Sequence, residues 1–83
     1  MTSVDIRSAI LQAIAEVAPE ANLSALDGTV DLRDELDIDS MDFLNVLVGI
    51  DERLGVAVAE RDYADVTTLD ALVAYVASRK GAA

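Results

Sequence analysis

The stretch DELDIDSMDF places one hydroxyl, Ser40, among five carboxylates: Asp34, Glu35, Asp37, Asp39 and Asp42. A serine nucleophile needs a base to take its proton. The chain has no histidine, and its single lysine, Lys80, lies at the far end, so self-contained nucleophilic catalysis is disfavoured. A serine at a helix start most often serves as the N-cap. Asp39 caps equally well, however, and Asp42 then falls at the third helical position and completes an acidic capping box. Ser40 is left over at the first helical position with its hydroxyl toward solvent. An anionic substituent carried there would sit beside exposed amides and the positive pole of the helix. Such a serine suits modification by another protein's active site better than catalysis of its own.

The acids raise a metal reading. Asp37 and Asp39 stand at the first and third positions of an EF-hand-like loop, but Met41 and Asp42 occupy the places of a ligand and of the turn glycine. Val48 stands where the bidentate acid belongs, so no metal-ligand set is assigned. Seven of the 16 acids fall between Asp27 and Asp42 with Arg33 the only base among them. That run is a solvated, self-repelling surface, and Asp39, Asp42, Asp51 and Glu52 would steer partners with basic docking surfaces toward the serine. A formal charge of −10 disfavours nucleic acid and anionic membranes as partners. With no cysteine, neither a disulfide framework nor a thiolate metal site can form. No run of 18 apolar residues and no basic leader is present, which points to the cytoplasm and against membrane insertion.

The elements that must position Ser40 follow from apolar spacing. At 83 residues the chain suits one domain, 1–83, with a core of aliphatic side chains, since hydrophobic residues are 53% and aromatics 4%. Ile6, Ile10, Ile14 and Val17 mark an amphipathic helix from about Ser3 to Val17, with Thr2 and Asp5 at capping-box spacing and Pro19 at the exit. Residues 20–39 read as a long loop with one short helical turn, pinned by its leucines and by an Asp27-Gly28 turn. A second helix runs from Ser40 to Leu54, closed by Gly55. It carries two stripes: Phe43, Leu47, Ile50 and Leu54 toward the core, and Met41, Leu44 and Val48 rotated by one position. A short element around Arg61 to Ala64 follows. The last helix opens with Thr67 and Asp70 at capping-box spacing and ends on Arg79 and Lys80. The expected fold is all-α: a small antiparallel four-helix bundle of three main helices and one short one, with a long first loop.

Read whole, ELDIDSMDFLNVLVGIDERLGV resembles the acyl carrier protein family around its prosthetic-group site, and the likeness extends through TTLDALVAYV. In that family an Asp-Ser-Leu or Asp-Ser-Met triplet opens the second helix. The resemblance implies that Ser40 carries 4′-phosphopantetheine, placed there from coenzyme A by a separate phosphopantetheinyl transferase, with Asp39 capping the helix beside it. It implies an acyl carrier and not an enzyme: a monomer that holds acyl intermediates as thioesters and serves acyl-loading and acyl-using enzymes. Met41, Asp42, Leu44, Val48, Asp51 and Glu52 would be the residues those enzymes read. The thiol that a cysteine-free chain lacks would arrive with the prosthetic arm. Asp37 replaces a glycine common in the family, Asn45 replaces an acid, and Gly49 interrupts the second helix. Fatty-acid and polyketide pathways both remain open, and these departures favour a specialised acyl or aminoacyl pathway over the main fatty-acid carrier. The competing reading from the residues is a non-covalent acidic helical interaction module using Met41, Leu44 and Val48 as groove contacts.

Overall fold

Helix α1, Ser3–Val17, begins as its sequence dictates. Thr2 Oγ1 accepts the Asp5 N–H at 3.1 Å and the Asp5 carboxylate accepts the Thr2 N–H at 3.4 Å, so both halves of the capping box are made. Ile6, Ile10, Ala13 and Ile14 are buried, whereas Val17 lies half-buried at the margin of the core. The computed structural model describes residues 2–80.

Residues 20–39 hold more order than the single turn expected. A 3₁₀ turn forms at Leu23–Ala25, and a second short helix, α2, at Leu32–Leu36. Asp27 Oδ1 accepts the Thr29 N–H at 2.9 Å and its hydroxyl at 2.7 Å, folding the Asp27-Gly28 turn. Two backbone bonds pin the segment to the start of the last helix: the Asp70 N–H to Gly28 O at 3.0 Å, and the Leu32 N–H to Thr67 O at 2.8 Å. A Cβ at Gly28 would meet the Asp70 carboxylate, the exposed end of a side chain that would have to swing aside. Five residues cannot sustain a helix alone. Burial of Leu32 and capping by Asp31, which accepts the Arg33 N–H at 2.9 Å, hold α2 in place. Asp37 ends it in the left-handed conformation, φ 53°.

Helix α3, Ser40–Leu54, and its exit match the sequence: Gly55 adopts φ 69° and its N–H reaches Asp51 O at 2.8 Å. Phe43, Val46, Leu47, Ile50 and Leu54 are buried. Gly49 lies against α1, where a Cβ would come within 3.2 Å of Ala13 Cβ, so this glycine lets the two main helices approach. The Arg53–Glu16 pair at 2.6 Å ties the ends of those helices together.

A 3₁₀ segment at Glu60–Asp65 corresponds to the expected short element. Tyr75 fastens it: the hydroxyl donates to Asp62 Oδ2 at 2.9 Å and accepts the Ala59 N–H at 3.4 Å. Arg79 stacks over the Tyr75 ring at 4.1 Å and reaches Asp62 at 3.8 Å. Helix α4, Leu69–Lys80, starts one residue later than the Thr67 cap predicts. Thr68 is the residue whose hydroxyl accepts the Ala71 N–H, at 3.1 Å, while the Thr67 carbonyl is committed to Leu32. Lys80 Nζ donates to Leu54 O at 2.7 Å, so the last cation serves the end of α3.

The packing order is α1 against α3 and α4, with α2 resting on α3. Among the described residues there is no strand, only an isolated bridge between Asp31 and Thr68. The architecture is the expected all-α bundle with three long helices.

Candidate functional site

Asp39 sits in extended backbone immediately before α3, and its Oδ1 accepts the Asp42 N–H at 2.9 Å. The acidic box expected here is half made: among the described residues no bond returns from the Asp39 N–H to the Asp42 carboxylate. At α1 the partner cap is a neutral threonine, whereas here two carboxylates would have to converge, and like charges oppose that. One half suffices to relieve Ser40 of the capping role. Ser40 is the first residue of α3, exposed, and its hydroxyl has no hydrogen bond among the described residues.

Beside it opens a cleft of about 410 Å³. Ser40, Phe43 and Leu44 of α3 form one side, Tyr63, Ala64 and Thr67 another, and Arg33 of α2 completes the lining. The Arg33 guanidinium lies 6.0 Å from the centroid of the Phe43 ring. It also donates to Asp31 through Nε at 3.3 Å and Nη2 at 3.2 Å. Those side-chain bonds, with the Arg33 backbone N–H, hold the Asp31 carboxyl below its ordinary pKa, and Asp31 in turn raises that of Arg33. Arg33, Tyr63, Ala64 and Thr67 join the site only through the fold, beyond the residues that the sequence pattern assigns to it. Arg33 alone had carried a signal, as the sole base in the acidic run.

The stripe Met41, Leu44, Val48 divides. Met41 is 64% and Val48 49% exposed, forming an outward apolar strip, whereas Leu44 is half-buried and belongs also to the cleft. Leu44, Val48 and Asp51 further border a small hollow of about 180 Å³ with Val58 and Tyr63. Asp39, Asp51 and Glu52 are exposed and Asp42 half-buried. These four acids do not gather at one point. A rise of about 1.5 Å per residue puts Asp51 and Glu52 roughly three turns from Ser40 along α3. Among the described residues no cluster of three carboxylates could hold a metal ion. A larger hollow of about 640 Å³ lies between the end of α1, the 3₁₀ turn at 23–25 and α2, without Ser40 in its lining.

Among the described residues no base hydrogen-bonds the Ser40 hydroxyl: the Asp39 carboxylate is taken up with the Asp42 N–H, and the guanidinium in the cleft is always protonated. An exposed, unengaged alcohol next to a largely apolar cleft fits a tethered group better than a nucleophile.

Comparison with known proteins bears on which group. The family model described as a phosphopantetheine attachment site matches residues 8–76. No curated protein matches the sequence significantly. Among solved structures, a solution structure of a candidate acyl carrier protein from Anaplasma phagocytophilum superposes with a TM-score of 0.86 at 24% identity, covering 100% of this chain and 97% of that one. At that identity the likeness speaks for the fold.

Proposed function

This chain belongs to the phosphopantetheine attachment site family, and on that premise we propose that it is an acyl carrier protein and that Ser40 is the residue to which its 4′-phosphopantetheine is joined. The observation that carries the proposal is the division of labour at the start of α3: Asp39 makes the cap bond at 2.9 Å and leaves the Ser40 hydroxyl exposed and unengaged. When bound, the group supplies a terminal thiol on which acyl units ride as thioesters.

Attachment forms a bond from Ser40 Oγ to phosphorus and breaks the pyrophosphate linkage of coenzyme A, whose nucleotide half departs. The serine proton needs an acceptor, and no carboxylate of this chain is hydrogen-bonded to the hydroxyl to take it, so the reading assigns that base to a phosphopantetheinyl transferase acting in trans. The chain's own contribution is presentation. Asp39 fixes the first turn, Phe43 and Leu44 give the cleft an apolar side, and Tyr63, Ala64 and Thr67 close its far side.

We infer further that loading and using enzymes dock on Met41, Leu44 and Val48, guided by Asp39, Asp42, Asp51 and Glu52. Exposed methionine is a flexible, polarizable contact that adapts to several partners. The exposed acids attract basic surfaces and raise encounter rates in a salt-dependent way. A single carrier domain over 1–83, a monomeric cytoplasmic protein, and a specialised acyl or aminoacyl pathway complete the reading. Asp37, Asn45 and Gly49 support the last point, as departures from the common pattern.

The test is intact-mass measurement after incubation with coenzyme A and a promiscuous transferase. Wild type gains one arm and Ser40→Ala gains none. An unmodified wild type across several transferases overturns the proposal and leaves the non-covalent module as the better account.

A further inference from the structure

We infer that Arg33 turns the prosthetic arm into the cleft beside α3 by pairing with the arm's phosphodiester, an inference that rests on Ser40 being the attachment point. Arg33 is the only base among the seven acids from Asp27 to Asp42. A phosphodiester on Ser40 Oγ would enter that acidic run as one more anion, and Arg33 is the single opposite charge there.

Position agrees with charge. Phe43 lies three residues after Ser40, so the two share one side of α3. Arg33 stands over Phe43 at 6.0 Å and lines the same cleft as Ser40. Its bonds to Asp31, at 3.3 and 3.2 Å, use Nε and Nη2 and are long for a charge-assisted pair. A guanidinium carries five N–H donors, so Arg33 has capacity for a second anion without losing the first.

The consequence is a direction. From Ser40 an arm has two courses: along the outward strip of Met41 and Val48, or into the cleft toward Tyr63, Ala64 and Thr67. Residues 41–52 contain no base, so charge favours the cleft alone. Both groups are partly exposed, and the bias is therefore modest and weakened by salt. Arg33 is a positioning residue: it sets where the arm rests, not whether it is attached.

The experiment compares amide NMR spectra of the apo and arm-bearing protein for wild type, Arg33→Gln, Arg33→Lys and Asp31→Asn, with intact mass confirming one arm on each. Attachment is expected to shift the amides of Tyr63, Ala64 and Thr67 in wild type, and the phosphodiester's phosphorus resonance is expected to differ between arm-bearing wild type and arm-bearing Arg33→Gln. Arg33→Gln reduces the cleft shifts by half or more, and Arg33→Lys retains part of them as a point charge. Asp31→Asn enlarges them, because asparagine keeps the cap of α2 while no longer competing for the guanidinium. Unchanged cleft shifts in Arg33→Gln, or wild-type shifts confined to Met41 and Val48, overturn the inference while leaving attachment intact. Absence of the mass gain in wild type overturns the attachment reading, and this one with it.

Discussion

Asp39 Oδ1 holds the Asp42 N–H at 2.9 Å, and this one bond puts the cap of α3 on Asp39 while the Ser40 hydroxyl stays exposed without a hydrogen bond among the described residues. Asp39→Ala is expected to lower stability by about 1 kcal/mol through loss of the cap. It should also slow arm transfer, since Ser40 becomes the nearest replacement cap and its hydroxyl turns inward. Thermal unfolding and the initial rate of mass gain check both effects. An Asp39→Ala protein modified as fast as wild type would show that the hydroxyl never needed relieving.

Two left-handed positions bracket the site. Gly55, at φ 69°, is the residue such a conformation favours, whereas Asp37, at φ 53°, is not. Gly55→Ala should cost about 1 kcal/mol or more, and Asp37→Gly should raise stability by up to about 1 kcal/mol. Denaturant unfolding of both variants measures the contrast. Equal stabilities would mean that the backbone relaxes at both ends of the segment.

Gly49 faces Ala13, with a prospective Cβ–Cβ distance of 3.2 Å. Gly49→Ala brings a helix-propensity gain of about 1 kcal/mol against that crowding, so it should stay within about 1 kcal/mol of wild type. Gly49→Leu has no room and should lose about 2 kcal/mol or more. A stable Gly49→Leu protein would contradict close contact of α1 and α3 at this point.

Acid should weaken the Arg53–Glu16 tie. The hydrogen bond from Arg53, and then its charge, lower the Glu16 pKa below the ordinary 4.5. The unfolded chain thus takes up the proton first as pH falls, and the stability contributed by the ionised pair is present above the unfolded pKa and lost below the folded one. Wild type should melt above Glu16→Gln at neutral pH, and the gap should close at an acid pH at which Glu16 is protonated in the folded protein as well. A gap of the same size at both pH values would assign the difference to something other than the ion pair.

The extent to which the sequence anticipated this protein tracks the range of the interactions involved. Helices α1 and α3 were legible because Ile6, Ile10 and Ile14, and Phe43, Leu47 and Ile50, repeat at helical spacing and every one is buried. The release of Ser40 was legible too, as a local competition among neighbours for one cap. Helix α2 was not. Its five residues have no periodicity to read, and it depends on the Leu32 N–H finding Thr67 O from far along the chain. That same long-range bond moved the α4 cap from Thr67 to Thr68. The far side of the cleft was hidden for a similar reason: Tyr63 faces Ser40 in a segment fastened by Tyr75 to Asp62, a pairing no local pattern announces.

The most direct measurement is fragmentation mass spectrometry of the peptide containing Asp39, Ser40 and Met41, taken from protein purified with its arm attached. The arm's mass on the Ser40 fragment ions is the predicted result. Finding it on any other hydroxyl, with Ser40 bare, would contradict the account.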